Sequence, residues 1–160
     1  LHTNVRVKDL DASIAFYKKL GFTIFLPGIP YLGLSLDPEP EALPDASAKA
    51  LGLESGTKGR ACIMQLNDGF PKLDLTELST AHPSAPLSNA DVGLVRICLV
   101  TEDLTGDITT LKAQGVTFLD DPRTGHAELA EVAVCKDPDG TLIELLQVHM
   151  ERWEPFLGGG

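Results

Sequence analysis

Hydrophobic and polar positions alternate along two short segments of the chain. Val5 and Val7 flank the polar Arg6, and within residues 95–100 the apolar residues flank Arg96 and Cys98. A period of two is typical of a β-strand that has one apolar face and one polar face. Each segment therefore predicts a strand that buries one face and presents the other to a site or to solvent.

An amphipathic stretch follows each of these strands. The Asp-Leu pair at residues 9–10 recurs 94 positions later at residues 103–104, and Gly21 recurs at the same distance as Gly115. Apolar residues at helical spacing between each Asp-Leu pair and its glycine predict a helix with an N-terminal aspartate and a C-terminal glycine. The predicted helices span residues 9–20 and 104–114.

Further strands follow in the same order in both halves of the chain. They are predicted at residues 22–26, 61–66 and 73–78 in the first half, and at residues 116–119, 131–135 and 141–148 in the second. Each half is therefore predicted to be a βαβββ unit. An internal repeat of this kind indicates two similar modules, and the predicted fold class is α+β.

The two copies differ mainly by an insertion at residues 27–59, which is rich in proline. A loop of this length without a clear pattern is either functional or disordered. We expect it to lie at the periphery of the core, as a lid that borders a cavity mouth or as a mobile surface segment. The predicted organisation is a first module (1–78), a linker (79–91), a second module (92–150) and a C-terminal tail (151–160).

Composition excludes some classes of partner. The formal net charge of −10 argues against sequence-independent binding of nucleic acid, which depends on Lys and Arg at the phosphates. Apolar runs fall well short of the roughly 20 residues that cross a bilayer, so no membrane partner is expected.

The three cysteines, Cys62, Cys98 and Cys135, all fall in predicted strands. Their spacing suits no zinc motif. We interpret them as buried free thiols, which indicates a reducing compartment and predicts a cytoplasmic protein.

Both ends of the chain carry a family resemblance. Residues 2–10 read His-Thr-Asn-Val-Arg-Val-Lys-Asp-Leu, followed by Ala-Phe-Tyr at 15–17 and Leu-Gly-Phe at 20–22, and residues 136–145 read Lys-Asp-Pro-Asp-Gly-Thr-Leu-Ile-Glu-Leu. These segments resemble the opening and the closing of a vicinal oxygen chelate module, as found in glyoxalases, bleomycin-resistance proteins and extradiol dioxygenases. The resemblance implies two βαβββ modules whose curled mixed sheets enclose a shared cavity. It is specific for the fold and weak for the reaction.

In that superfamily, metal ligands typically come from the first strand of each module and from the last strand. Carried over by position, the resemblance implies His2 and Glu144 as metal ligands, and it places Arg96 where a histidine is common. Arginine has no usable lone pair at ordinary pH, so the set of two histidines and one carboxylate is broken. Binding of a divalent metal (Fe, Mn, Zn, Ni or Mg) is therefore expected to be weak or absent.

The remaining ligand position, in the first module, is open between two carboxylates. Alignment of the last strands nominates Asp74, whereas the glutamate more usual in the family nominates Glu77. The two positions have opposite parity, so a regular strand directs only one of them into the cavity. Asp74, Glu77 and Glu144 all remain candidate catalytic groups, and Glu77 is also a candidate metal ligand.

Arg96 and two residues of the first strand are candidate ligand-binding groups. An inward arginine is costly unless paired, so Arg96 either neutralises Glu144 or holds a carboxylate or phosphate of a ligand. Asn4 and Arg6 share a strand face with His2, and they either bind the ligand or form a structural polar network. The other three histidines are not expected to be site residues. His82 and His126 are expected to be exposed, and His149 lies at the end of a predicted strand.

Two functions fit these features. The first is a glyoxalase-like protein that acts on a small oxygenated molecule, with metal-assisted lyase, isomerase or dioxygenase chemistry. The alternative is a metal-free protein for binding or sequestering a small molecule, in which Arg96 replaces a metal ligand. A third possible function is that of a regulatory domain whose former site is now a network of salt bridges. The expected partners are a small molecule and a second copy of the chain in a homodimer.

Overall fold

A computed structural model of the chain describes residues 2–80, 82 and 84–157. The chain divides into two compact units, Leu1–Ser84 and Ala85–Gly160. The division falls within residues 79–91, the segment predicted as a linker. Each unit contains a five-stranded mixed sheet with an α-helix, so the α+β class and the two similar modules are confirmed.

The first unit builds its sheet from the strands at both ends of the module. Its elements are β1 (His2–Val7), α1 (Leu10–Lys19), β2 (Phe22–Leu26), β3 (Gly28–Ile29), β4 (Leu34–Ser35), β5 (Glu41–Ala42), α2 (Asp45–Ala50), β6 (Lys58–Leu66) and β7 (Lys72–Leu78). The strand order is β1-β7-β6-β2, and β5 also pairs with β6. β1 runs parallel to β7, and the other pairs are antiparallel.

The second unit repeats this order. Its elements are β8 (Arg96–Val100), α3 (Leu104–Ala113), β9 (Thr117–Phe118), β10 (Arg123–Thr124), β11 (Ala130–Lys136) and β12 (Leu142–Val148). The sheet order is β10-β11-β12-β8, and β9 pairs with β11. β8 is again parallel to the last strand. The predicted βαβββ order is present in both units, with the short strands β3, β4 and β5 and the helix α2 added in the first and the short β10 added in the second.

Strand register defines equivalent positions in the two units. Asn4 pairs with Asp74 in the first unit, and Cys98 pairs with Glu144 in the second. Asp74 and Glu144 are therefore equivalent. His2 opens β1 as Arg96 opens β8, which confirms that Arg96 stands at the position equivalent to His2.

The N-termini of α1 and α3 are stabilised in the same way. The side chains of Asp9 and Asp103 each accept a hydrogen bond from a first-turn N–H at 3.0 Å, which confirms both predicted caps. The first helical N–H is bonded by a polar side chain of the last strand, Glu77 at 2.6 Å in α1 and Gln147 at 2.9 Å in α3. These two residues face the helix in each unit.

One face of each sheet packs against its helix and forms the main core. In the first unit, Tyr17 makes edge-to-face contacts with Phe16 and Phe22, with ring centroids 5.1 and 5.7 Å apart. Such contacts add to the burial of large apolar area. In the second unit the buried residues also come from the helix and from the last two long strands. They include Leu104, Ile108, Leu111, Ala133, Cys135, Ile143 and Leu145.

The insertion at residues 27–59 forms part of a second core, so the expectation that it is peripheral to the core is wrong, whereas the expectation that it borders a cavity is confirmed. The buried residues it contributes are Ile29, Leu32, Leu34, Leu43 and Ala48. They pack against Ala61, Ile63 and Leu78, on the sheet face opposite α1. The insertion therefore covers that face with apolar side chains, which removes their surface from water.

Candidate functional site

A cavity of about 200 Å³ lies in the first unit on the sheet face opposite α1, which we call the cavity face. One wall is a polar strip formed by the strands β1 and β7: His2, Asn4, Arg6, Asp74 and Thr76. The rest of the lining is apolar and comes from Tyr31, from five leucines of the insertion and from Leu78. The structure thus brings four of the residues singled out in the sequence to one cavity, and it adds Thr76.

Asp74 is the centre of the polar strip, and its side chain is 4% exposed. One carboxylate oxygen accepts a hydrogen bond from the Thr76 hydroxyl at 2.6 Å, and the other lies 3.4 Å from Nε2 of His2. The amide of Asn4 donates to Thr76 at 3.2 Å and to the Asp74 carbonyl at 3.4 Å. A buried carboxylate needs such partners, so these four residues of the strip form a satisfied network around Asp74. Alternation with Asp74 could have identified Thr76 from the sequence.

Arg6 differs from the other residues of the strip. It has no hydrogen bond or ion pair with the residues that the structure describes. Desolvation lowers the pKa of its guanidinium, and the negative charge of Asp74 acts in the opposite direction. Arg6 is therefore a partly desolvated cation at the cavity with its donors available.

Glu77 lies on the helix face of β7. Its carboxylate accepts from the N–H of Leu10 and lies 3.8 Å from Nη1 of Arg60. Since Glu77 and Asp74 have opposite parity in a regular strand, Glu77 cannot join His2 and Asp74 without a change of register. Of the two sequence-based alternatives, Asp74 is the carboxylate that lines the cavity.

Arg60, which the sequence did not single out, connects the insertion to α1. It is 8% exposed and forms two hydrogen bonds to the Asp11 carboxylate, at 3.1 and 3.2 Å. It also donates to the carbonyls of Leu36 at 3.0 Å and Asp37 at 2.8 Å. The bonds to Asp11 raise the pKa of Arg60, so this cation is permanent. It therefore fixes residues 36–37 of the insertion, which directly follow β4 and its cavity-lining Leu34.

The second unit carries an ion pair at its equivalent positions. Nε of Arg96 donates to the carboxylate of Glu144, and Nη1 donates to Asn89 at 3.1 Å. The hydrogen bond to Glu144 raises the pKa of Arg96. The three residues border a shallow depression of about 420 Å³, whose floor includes Val132 and Val134. Of the two alternatives for Arg96, neutralisation of Glu144 is the one present. Asn89 lies in the linker and carried no sequence signal.

The three cysteines are free, but they are not all buried. Burial raises the pKa of Cys62 to about 12 and that of Cys135 to about 11. Cys98 is exposed, so the expectation of a buried thiol is wrong there. Its side chain shares the face of Arg96, and partial desolvation and the charge of Glu144 raise its pKa.

The remaining histidines line neither the cavity of the first unit nor the depression of the second. His82 and His126 are exposed, as expected. His149 lies 3.2 Å from the carboxylate of Glu131 and does not line the depression beside Arg96.

The donor set does not fit a metal ion well. Among the described residues, no three His, Cys, Asp or Glu side chains are grouped to hold one. His2 and Asp74 provide two donors, and one oxygen of Asp74 already accepts from Thr76. In the second unit the carboxylate of Glu144 is bound by a guanidinium, which cannot ligate a metal.

A sequence model of the Glyoxalase/Bleomycin resistance protein/Dioxygenase superfamily matches residues 1–145. The curated "Probable lactoylglutathione lyase" of Vibrio cholerae is 27% identical over 147 residues, which are 92% of this chain and 88% of that protein. A glyoxalase family protein from Bacillus cereus superposes with a TM-score of 0.72 at 15% identity, covering 92% of this chain and 91% of the other. The trypanothione-dependent glyoxalase I of Leishmania major superposes with a TM-score of 0.62 at 22% identity, covering 98% and 93%. At these identities the superpositions show the fold alone, whereas the sequence match covers most of the chain and both copies of the βαβββ repeat. The chain therefore belongs to the Glyoxalase/Bleomycin resistance protein/Dioxygenase superfamily.

Proposed function

We propose that this member of the superfamily binds a small oxygenated molecule without a resident metal, and that Arg96 takes the place of a metal ligand. Members of the superfamily bind small-molecule substrates and commonly bind divalent metals. The observation that carries the proposal is the ion pair between Arg96 and Glu144. It engages a carboxylate that a metal would need.

Electrostatics supports the proposal. A cation about 4 Å from the Arg96 guanidinium is repelled by about 4 kcal/mol per unit charge at an effective dielectric constant near 20. Because the Arg96 side chain is 43% exposed, solvent and salt reduce this value. A single carboxylate shared between the guanidinium and a divalent ion offsets the repulsion only in part. Metal binding is therefore weak, and the ligand is held by shape and by hydrogen bonds.

The second candidate function is a metal-assisted lyase. It is favoured by the similarity over 147 residues to the probable lactoylglutathione lyase of Vibrio cholerae. In that case Glu144 would have to leave Arg96 in the second unit, or His2 and Asp74 of the first unit would have to gain a further donor. The metal would polarise a substrate carbonyl. Since the donors do not fit as they stand, we rank this function second.

Metal titration by calorimetry distinguishes the two. Mn(II) and Zn(II) are titrated into the unmutated protein, into Arg96→His and into Arg123→His, which replaces an exposed arginine of the same unit. We expect weak or no binding to the unmutated protein and to the control, and binding at least about tenfold tighter to Arg96→His, because a ligand replaces a repelling cation.

The opposite outcome of the titration would contradict the proposal. Tight stoichiometric metal in the unmutated protein, lost in His2→Ala or in Glu144→Ala, would overturn the metal-free function. The metal-loaded protein would then be assayed for lyase activity on lactoylglutathione, the compound in the name of the curated relative.

We also propose that the protein is a cytoplasmic homodimer. Members of the superfamily often form dimers, and the buried thiols of Cys62 and Cys135 suit a reducing compartment. None of the helices within residues 2–80, 82 and 84–157 is long and apolar enough to cross a membrane. Light scattering coupled to size-exclusion chromatography measures the oligomeric state, and a mass near 17.1 kDa would contradict the dimer.

A further inference from the structure

The cavity of the first unit joins an apolar wall to a polar strip, and each constrains what can bind. The apolar wall comes mainly from leucines of the insertion, of which Leu34 and Leu43 are buried and Leu51 is 53% exposed. An apolar cavity of about 150 Å³ accommodates benzene. The cavity here is about 200 Å³. It has room for a benzene-sized body and a short polar group.

The polar strip has one set of unused donors. Both oxygens of Asp74 have partners, Thr76 and His2, and the amide of Asn4 already donates to two acceptors. Arg6 makes no hydrogen bond or ion pair with the described residues, although a guanidinium carries five N–H donors. A ligand acceptor placed at Arg6 would therefore gain hydrogen bonds without displacing existing ones.

The charge of the ligand follows from the same contacts. A cationic ligand would have to compete with Thr76 or His2 for Asp74 while lying near Arg6. An anionic oxygen at Arg6 forms charge-assisted hydrogen bonds, which are stronger than neutral ones. Desolvation of the guanidinium, which lowers the pKa of Arg6, makes a counter-anion more favourable still. The strip therefore favours an anion over a cation.

We propose that the first-unit cavity binds a monocarboxylate with a compact apolar body. The carboxylate lies at Arg6, and the body packs against Tyr31, Leu43, Leu51 and Leu53. The insertion is then the element that sets the size of the accepted body. This assignment rests on the proposed function, because it names the class of molecule that a metal-free protein would bind.

The test compares two probes of the same shape. Phenylacetate and phenylacetamide match in shape and differ in the polar group, which is an anionic carboxylate with two acceptor oxygens in one and a neutral amide with one acceptor oxygen in the other. Both are titrated into the full chain in the presence of a chelator, by calorimetry or by ligand-observed NMR. We expect phenylacetate to bind at least about tenfold more tightly than the amide, because the carboxylate offers two charged acceptor oxygens to Arg6 whereas the amide offers one neutral acceptor.

Three variants assign the contacts. Arg6→Gln is expected to weaken phenylacetate by about 10- to 100-fold and the amide by less than about threefold, because the acid loses an ion pair whereas a glutamine side chain still donates to the amide carbonyl. Leu51→Asn is expected to weaken both probes by about fivefold, because it removes apolar contact from the shared body. Lys49→Gln removes an exposed charge of the insertion that does not line the cavity, and neither probe should respond.

Several results would overturn the assignment: equal affinity for acid and amide, an unchanged acid affinity in Arg6→Gln, or no binding of either probe in the millimolar range. Arg6 and Leu51 are exposed, so both variants are expected to fold, and circular dichroism verifies this. Tight metal binding by the unmutated protein would overturn the proposed function while leaving the comparison of acid and amide valid. A failed comparison would overturn the cavity assignment and leave the metal result in place.

Discussion

The two units keep a carboxylate at the same position but hold it in different ways. Asp74 is held by the Thr76 hydroxyl and by His2, whereas the equivalent Glu144 is held by the guanidinium of Arg96. A hydroxyl leaves the charge of a carboxylate in place, and an arginine neutralises it. The retained carboxylate therefore says little about chemistry until its partner is known.

The units also differ in what covers the sheet face opposite the helix. In the first unit the insertion covers it, and Ala61 and Ile63 are buried there. Register places Val132 and Val134 at the equivalent positions of β11, where they are half-buried, and Val100 on the same face is 68% exposed. The same strand order thus gives a second core in one unit and a partly exposed face in the other, and the units differ there in the length of one loop.

The largest expected effect tests whether the insertion is core. Ile29→Ala empties a fully buried position, and we expect the free energy of unfolding to fall by about 3 kcal/mol. Leu119→Ala is the control at an apolar side chain of the second unit that is 49% exposed, and its effect should stay within about 0.5 kcal/mol. Chemical denaturation measures both. Equal effects would mean that the insertion does not pack as a core.

The next effect concerns the arginine that ties the insertion to α1. Arg60→Met leaves the carbonyls of Leu36 and Asp37 without their donor, and we expect a loss of about 2 kcal/mol. The value is below that of a fully buried pair, because Asp11 is largely exposed. The equivalent residue in the second unit is Glu131, which makes a partly exposed pair.

Glu131→Gln is therefore the matched control for Arg60→Met, and denaturation should show a loss below about 0.5 kcal/mol. A loss in Glu131→Gln as large as that in Arg60→Met would contradict the claim that the first unit depends on an added clamp.

The sequence predicted the repeated elements well because local physics specifies them. Alternation at Val5 and Val7, and an aspartate and a glycine at the ends of each helix, report burial and capping within a few residues. The position of Arg96 relative to His2 followed from the repeat alone. Parity also placed Cys98 on the exposed face of Arg96, so the expectation of a buried thiol conflicted with a pattern already visible in the sequence.

The remaining features depend on contacts between distant segments. Ile29, Leu34 and Leu43 are spaced irregularly across turns, so no period marks them as core. The choice between Asp74 and Glu77 needed the observation that Glu77 accepts from the N-terminus of α1. Arg60 acts mainly on backbone carbonyls, which any residue provides. Neither composition nor periodicity carries that information.

A smaller effect tests the helix contact shared by the units. Glu77→Ala and Gln147→Ala each remove the acceptor of the first helical N–H, at 2.6 and 2.9 Å. We expect losses of about 1.5 and about 1 kcal/mol, with the larger loss for the charged acceptor. Chemical denaturation of the two variants measures both losses in the free energy of unfolding. If Glu77→Ala instead left stability unchanged and altered ligand affinity, Glu77 would belong to the site after all.

The smallest effect concerns the exposed thiol beside the ion pair of the second unit. Native alkylation by iodoacetamide at pH 8 should modify Cys98 and spare the buried Cys62 and Cys135. The carboxylate of Glu144 raises the pKa of Cys98, so Glu144→Gln should lower that pKa, increase the thiolate fraction and speed alkylation by about threefold. Glu131→Gln, on the opposite face, should leave the rate unchanged. Peptide mass spectrometry reads the site and the rate together. Slower alkylation in Glu144→Gln would mean that freeing Arg96 closes the face, and that the ion pair keeps it open rather than setting the charge at Cys98.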